Sequence, residues 1–211
     1  FTSGAGNWCT WMFGRDLVNW NNNFTWAKWV TPSRDLISAF KQEGDEVRFK
    51  ESIVYYDCNW SNYYPSDNYP FMYKCRSANS SIIKYRYADV LLLKAEALIM
   101  QDTPDLEGAA DIIDEVRDRA KLGALPTSVR SNKNVLLNAL LKERRLELAF
   151  EGQRWFDLVR RDKVEEVMNA VYAKESARKA QIDAYQKNCV RLPNPQSVID
   201  ANDKIHQNPG Y

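Results

Sequence analysis

The stretch Glu143–Arg160, ERRLELAFEGQRWFDLVR, constrains this chain more than any other. Charged residues alternate there with Leu146, Leu148, Phe150, Trp155, Phe156, Leu158 and Val159. At 3.6 residues per turn, Glu143, Glu147 and Glu151 share one helix face with Leu136 and Leu140. Carboxylates set into an apolar face must be paired, because a buried charge without its partner costs roughly 3–5 kcal/mol. The chain must therefore bring basic groups to these glutamates. Arg117, Arg119, Arg144, Arg154 and Arg160 are the candidates, with Arg117 or Arg119 expected first at Glu143 and Glu147.

Helical periodicity extends far beyond this block. Ser33–Gln42 reads as a helix opened by Pro32 and Ser33. From Tyr85 onward, Ala88, Leu91, Leu92, Ala95, Leu98 and Ile99 form one apolar stripe, which Thr103-Pro104 interrupts. Leu106–Leu122 carries Ala109, Ile112, Ile113, Val116 and Ala120 on its apolar side and ends before Gly123 and Pro126. Asn132–Glu151, Trp155–Arg160 and Val164–Tyr185 follow as further helices, and Val47–Tyr56 alternates loosely as a strand would. Small alanines at close-approach positions give the helix pairs a tetratricopeptide-like pattern. The tail from Leu192 holds three prolines and is expected to be extended and tied to the surface. The reading is therefore mainly α, a tetratricopeptide-like helical scaffold with long aromatic-rich loops. Its divisions are a loop-rich segment 1–84, a helical scaffold 85–190 and a tail 191–211.

Several functions are poorly served by this composition. The chain has 29 Lys and Arg against 28 Asp and Glu, a net charge of +1, so it lacks the basic field that nucleic-acid binding needs. No apolar run approaches the ~20 residues of a membrane-spanning helix. Cys9, Cys58, Cys75 and Cys189 have no C-x-x-C spacing, which argues against zinc. Cys58 and Cys75 could form a disulfide in an oxidising compartment or remain buried thiols. The glutamate triplet lacks the Glu-x-x-His pairs of a carboxylate metal site, since the one histidine is His206. Glycoside hydrolysis needs two carboxyls facing an open cleft. Here arginines should hold the carboxyl pKa values down and make poor general acids. No phosphate loop, nucleophile elbow or Ser/His/Asp set occurs. No metal, cofactor or catalytic activity is expected.

The functional signal lies in the aromatic residues. Of 26 aromatics, 18 fall in Phe1–Tyr73, including six of the seven tryptophans, amid Asn, Ser, Gly and Pro. A ring offers a flat apolar face on which the C–H face of a sugar can stack, and nearby amides can bond its hydroxyls. The candidates are Trp8 and Trp11, then Trp60, Tyr63 and Tyr64, with Asn7 and Asn62 beside them. Each ring could instead pin its loop to the scaffold. Trp26 and Trp29, next to the Pro32 helix, look most structural, and Trp155 is expected in the core.

Several of these segments resemble motifs of one family. They are Arg86–Ala97 (RYADVLLLKAEA), Val116–Leu122 (VRDRAKL), the Glu143–Arg160 block and the ending Gln207-Asn208-Pro209-Gly210-Tyr211. Pro32–Phe40 fits the helix that opens the family's C-terminal half, whereas Lys121 stands where glycine is common and Asn194 where isoleucine is usual. In this the chain is similar to the SusD/RagB family, nutrient-binding outer-membrane lipoproteins of Bacteroidetes-type bacteria. Members run to roughly twice this length, so the chain is expected to be a C-terminal portion. The resemblance implies capture of a glycan or other nutrient and its delivery to a SusC-like TonB-dependent transporter. It places the protein on the extracellular face of the outer membrane, held by a lipid anchor in the missing N-terminal part. It also implies that the helical face serves partly as a docking surface for that transporter. The alternatives are a helical-repeat interaction adaptor and, less favoured, a glycan-processing enzyme.

Overall fold

A computed structural model of the protein describes residues 31–57, 64–74, 83–174, 185 and 190–211. They fall in two compact units, Phe1–Arg154 and Trp155–Tyr211.

The first unit opens with α1 (Arg34–Glu43). The Ser33 hydroxyl accepts the Leu36 N–H at its start, and Gly44 ends it in the left-handed conformation, φ 70°. Asp45 then caps α2 (Glu46–Ser52) by accepting the Arg48 N–H. The alternation in Val47–Tyr56 thus resolves into a helix followed by a strand, β1 (Ile53–Tyr56). The Asp45 cap overrides the loose period-two pattern. β1 pairs antiparallel with β2 (Tyr69–Met72) in the register Ile53 to Met72 and Tyr56 to Tyr69.

Next come α3 (Tyr87–Met100) and α4 (Leu106–Arg119), joined by a short turn that makes them an antiparallel pair, then the single turn α5 (Thr127–Arg130) and α6 (Lys133–Glu147). α6 packs against both members of the pair. Leu92, Ala95 and Ile99 meet Ala109, Ala110, Ile113, Leu136 and Leu140 in one core, and the alanines let the backbones approach closely. A second core joins Ile37, Phe40 and Ile53 to Leu146 and Ala149 at the end of α6. The mainly helical, tetratricopeptide-like scaffold expected from the sequence is present.

Two helix ends differ from the pattern. α4 stops at Arg119, before Gly123 is reached: the Leu122 N–H returns to the Arg117 carbonyl and Lys121 takes φ 61°. α6 stops at Glu147, so Glu151 lies beyond the helix in a turn where Phe150 has φ 66° and Gly152 φ 78°.

The second unit contains α7 (Arg154–Arg160), which begins at the last residue of the first, and α8 (Val164–Lys174) and α9 (Gln196–Ala201). Trp155 is not a core residue. α7 buries Asp157 and Leu158, whereas Trp155 in its first turn is 38% exposed and edge-on to Tyr185. Asn169 holds the Tyr185 backbone by a reciprocal pair of hydrogen bonds. The tail is not extended throughout: Pro195 starts α9. It is tied by the Gln207 side chain, which accepts the Asn194 N–H at 2.7 Å and donates to the Asn194 carbonyl at 3.1 Å. Asn208 Nδ2 adds a bond to the Leu192 carbonyl.

Candidate functional site

The glutamates of α6 face the centre of a buried ion-pair network. Glu143 and Glu147, one turn apart, are both almost wholly buried. Arg48 of α2 reaches between them: its Nη1 donates to Glu143 Oε1 at 2.6 Å and to Glu147 Oε2 at 3.0 Å, while its Nε donates to Asp45 Oδ2 at 2.5 Å. Arg86, the N-cap residue of α3, binds Glu147 Oε1 at 2.6 Å, Glu151 Oε2 at 2.7 Å and the Glu147 carbonyl. Lys74, just after β2, pairs with Glu151 at 2.5 Å and donates to the Glu147 carbonyl. From the end of α4, Arg117 reaches Glu143 at 3.4 Å and Glu43 at 2.7 Å, and Arg119 bonds Glu147. Helices α1, α2, α3 and α4 are thereby fastened to α6.

The first-choice partners, Arg117 and Arg119, are both present, but neither is the central one. Arg48, Arg86 and Lys74 were not among the five candidate bases. Arg144 pairs instead with the buried Asp89 of α3 at 2.9 Å, Arg154 donates to the Leu141 carbonyl and Arg160 pairs with Asp157.

The carboxyls respond differently to the same surroundings. Burial pushes Glu143 up, more than Arg48 and Arg117 pull it down. At Glu147 burial acts in the same direction, but Arg86, Arg48 and Arg119 outweigh it and hold the group below its usual range. The expected lowering therefore holds at Glu147 and fails at Glu143. Neither group faces an open cleft, and each oxygen has a cation, so the arrangement is architectural. Among the described residues, no three His, Cys, Asp or Glu side chains are grouped to hold a metal ion, and no helix is long and apolar enough to cross a membrane.

Of the aromatic candidates, Trp8, Trp11, Asn7, Trp60, Asn62 and Tyr63 lie outside the described residues, as do Trp26, Trp29, Cys9, Cys58, Cys75 and Cys189. Tyr64 is described. Its hydroxyl donates to the Pro32 carbonyl at 2.8 Å, its ring meets Tyr69 edge-on at 5.6 Å, and the Arg34 guanidinium lies 4.8 Å from its centroid. Tyr64 thus anchors the chain entering β2 to the start of α1. A cavity of about 350 Å³ lies between α3 and α4, lined by Arg86, Tyr87, Leu91, Glu115, Val116 and Arg119 among others. Pattern reading missed it because it forms between the start of α3 and the end of α4, residues far apart in the sequence.

The SusD family model matches residues 66–211. A SusD-like protein of Formosa agariphila is 43% identical over 99 residues, a stretch covering 44% of this chain and 19% of that protein. A SusD superfamily structure from Bacteroides vulgatus aligns with a TM-score of 0.66 at 21% identity, over 86% of this chain and 44% of its own. A laminarin-binding SusD-like protein aligns with a TM-score of 0.61 at 26% identity, over 98% of this chain and 44% of its own. The chain thus spans less than half the length of these relatives.

Proposed function

The chain belongs to the SusD family, and from that membership we propose that it is the C-terminal portion of a cell-surface glycan-binding protein. The protein captures its ligand by equilibrium binding and passes it to a SusC-like TonB-dependent transporter. It sits on the outer face of the outer membrane, lipid-anchored through the polypeptide that precedes Phe1. The observation that supports the glycan assignment is the alignment of 98% of this chain with 44% of a laminarin-binding relative. The chemistry agrees at the acidic cluster: Glu143, Glu147 and Glu151 are held in ion pairs and do not face an open cleft. No covalent step is needed. The network makes a stiff support, and Trp8, Trp11, Trp60 and Tyr63, with Asn7 and Asn62, supply stacking faces and amide donors, while Tyr64 anchors its loop.

Calorimetric titration of the full-length protein with a panel of soluble glycans, laminarin included, tests this reading. Saturable binding to at least one glycan, without release of new reducing ends, is expected. Turnover lost on replacing one carboxylate would show an enzyme instead. A SusC-like barrel should copurify with the lipidated protein in mild detergent.

A further inference from the structure

Three stretches of chain converge on one buried side chain, Tyr69, the first residue of β2. Across the ladder Tyr69 faces Tyr56, the last residue of β1. Its ring meets Tyr64 edge-on at 5.6 Å, and its hydroxyl shares a hydrogen bond with the Thr31 hydroxyl at 3.2 Å. Tyr64 makes the same connection from its own side. Its hydroxyl donates to the Pro32 carbonyl at 2.8 Å, and Arg34 sets its guanidinium 4.8 Å from the ring centroid. The two tyrosines thus clasp the consecutive residues Thr31 and Pro32. α1 does not depend on this clasp. Ser33 caps it, Ile37 and Phe40 seat it in the second core, and Asp35 ties it to Arg145 of α6 at 2.6 Å. The clasp acts on the chain that enters α1.

Thr31 follows directly on residues 1–30, and Asp57 and Tyr64 flank residues 58–63. Those two segments carry six of the seven tryptophans, among them Trp8, Trp11 and Trp60, and also Tyr63. Both are therefore attached to the scaffold at the clasp. We propose that Tyr64, Tyr69 and Arg34 are positioning residues for ligand binding. They hold the attachment points of the two segments at a fixed spacing, so that a glycan spanning rings of both meets a preset face. This rests on the reading of the protein as a glycan binder with its stacking rings in these segments. Binding that must first order the groups it uses loses affinity to that ordering, and a clasp made beforehand removes part of the cost. The benefit exists only for a ligand long enough to touch both segments.

Calorimetric titration of full-length variants, well below their melting temperatures, tests this dependence on ligand length. The probes are laminarin and its fragments, down to the shortest that the wild type binds; another soluble glycan and its fragments take their place where the wild type prefers it. Tyr64→Phe keeps the ring beside Tyr69 and Arg34 and loses only the bond to the Pro32 carbonyl. It should weaken laminarin binding about fivefold, the worth of one neutral hydrogen bond, and leave the shortest fragment unaffected. Arg34→Gln should act in the same direction, and Arg34→Lys, which restores a cation over the ring, should recover the affinity. Glu147→Gln loosens the scaffold elsewhere; it should lower the Tm and yet bind every length as the wild type does. Wild-type laminarin affinity in both Tyr64→Phe and Arg34→Gln would overturn the proposal, and so would an equal loss at every fragment length, since the clasp would then be packing alone. A wild-type protein that binds no glycan at all would sink the glycan reading itself, a failure distinct from a clasp without effect on affinity.

Discussion

Replacing members of the buried network one at a time should give losses ranked by burial and by what each leaves stranded. Glu147→Ala removes an acceptor shared by Arg48, Arg86 and Arg119. Arg48 keeps Asp45 and Glu143, Arg86 keeps Glu151, and Arg119, 60% exposed along its side chain, returns to water. No cation is wholly abandoned, so the loss belongs at the low end of the range for breaking a buried pair, about 3 kcal/mol. Arg48→Ala is worse. It leaves Asp45 with no other ion-pair partner among the described residues and Glu143 with Arg117 alone at 3.4 Å, and about 4–5 kcal/mol is expected. Arg119→Ala should cost below about 1 kcal/mol, as exposed pairs do. Urea titrations of the full-length variants, followed by circular dichroism, read these differences as shifts in midpoint at constant slope. Equal losses for Arg119→Ala and Arg48→Ala, or a loss under about 1 kcal/mol for Glu147→Ala, would refute the view that burial of the network holds the helices together. Ligand affinity of the folded fraction should not change.

Further outcomes follow from the same structure. The Glu147 carboxyl is depressed in the folded state, so its stabilisation is present above the ordinary glutamate pKa and is lost as pH falls through the depressed value. Glu147→Gln should flatten the acid side of the stability-against-pH curve, and an unchanged acid side would contradict the assignment. Glu143 is raised, so its charged form is a burden at neutral pH. Glu143→Gln should be tolerated better than Glu147→Gln in thermal melts at pH 7. Lys121 sits at φ 61°, and Lys121→Gly should stabilise by about 1 kcal/mol by removing the left-handed cost of a side chain. Tyr64→Phe should cost about 1 kcal/mol through the lost bond to the Pro32 carbonyl, seen as a lower melting temperature.

The helical scaffold was legible because its periodicity is strong. Leu92, Ala95, Ile99, Ala109, Ile113, Val116, Leu136 and Leu140 are all buried where the stripes place them. The need to pair Glu143 and Glu147 was legible too, as a rule about buried charge. Which bases meet them was not. Arg48 is separated from Glu143 by 95 residues and Arg86 from Glu147 by 61, and local spacing carries no information about such contacts. The turn that ends α4 at Lys121, φ 61°, was missed although glycine is common at that position, because the apolar spacing runs on through Ala120 to Leu122. α2 was missed because one capping aspartate outweighed a weak alternation. Trp155 was misplaced because α7 is only seven residues long and buries Asp157 and Leu158 alone, which leaves Trp155 in its first turn 38% exposed.

Calorimetric titration of single alanine variants of the full-length protein with its best glycan tests the central claim most directly. Trp8→Ala, Trp11→Ala and Trp60→Ala should each weaken binding by about 1–3 kcal/mol, as hot-spot truncations do, with melting temperatures nearly unchanged. Wild-type affinity in all of these variants, or losses that always track unfolding, would mean that the aromatic segment is structural and that the ligand is held by other parts of the protein.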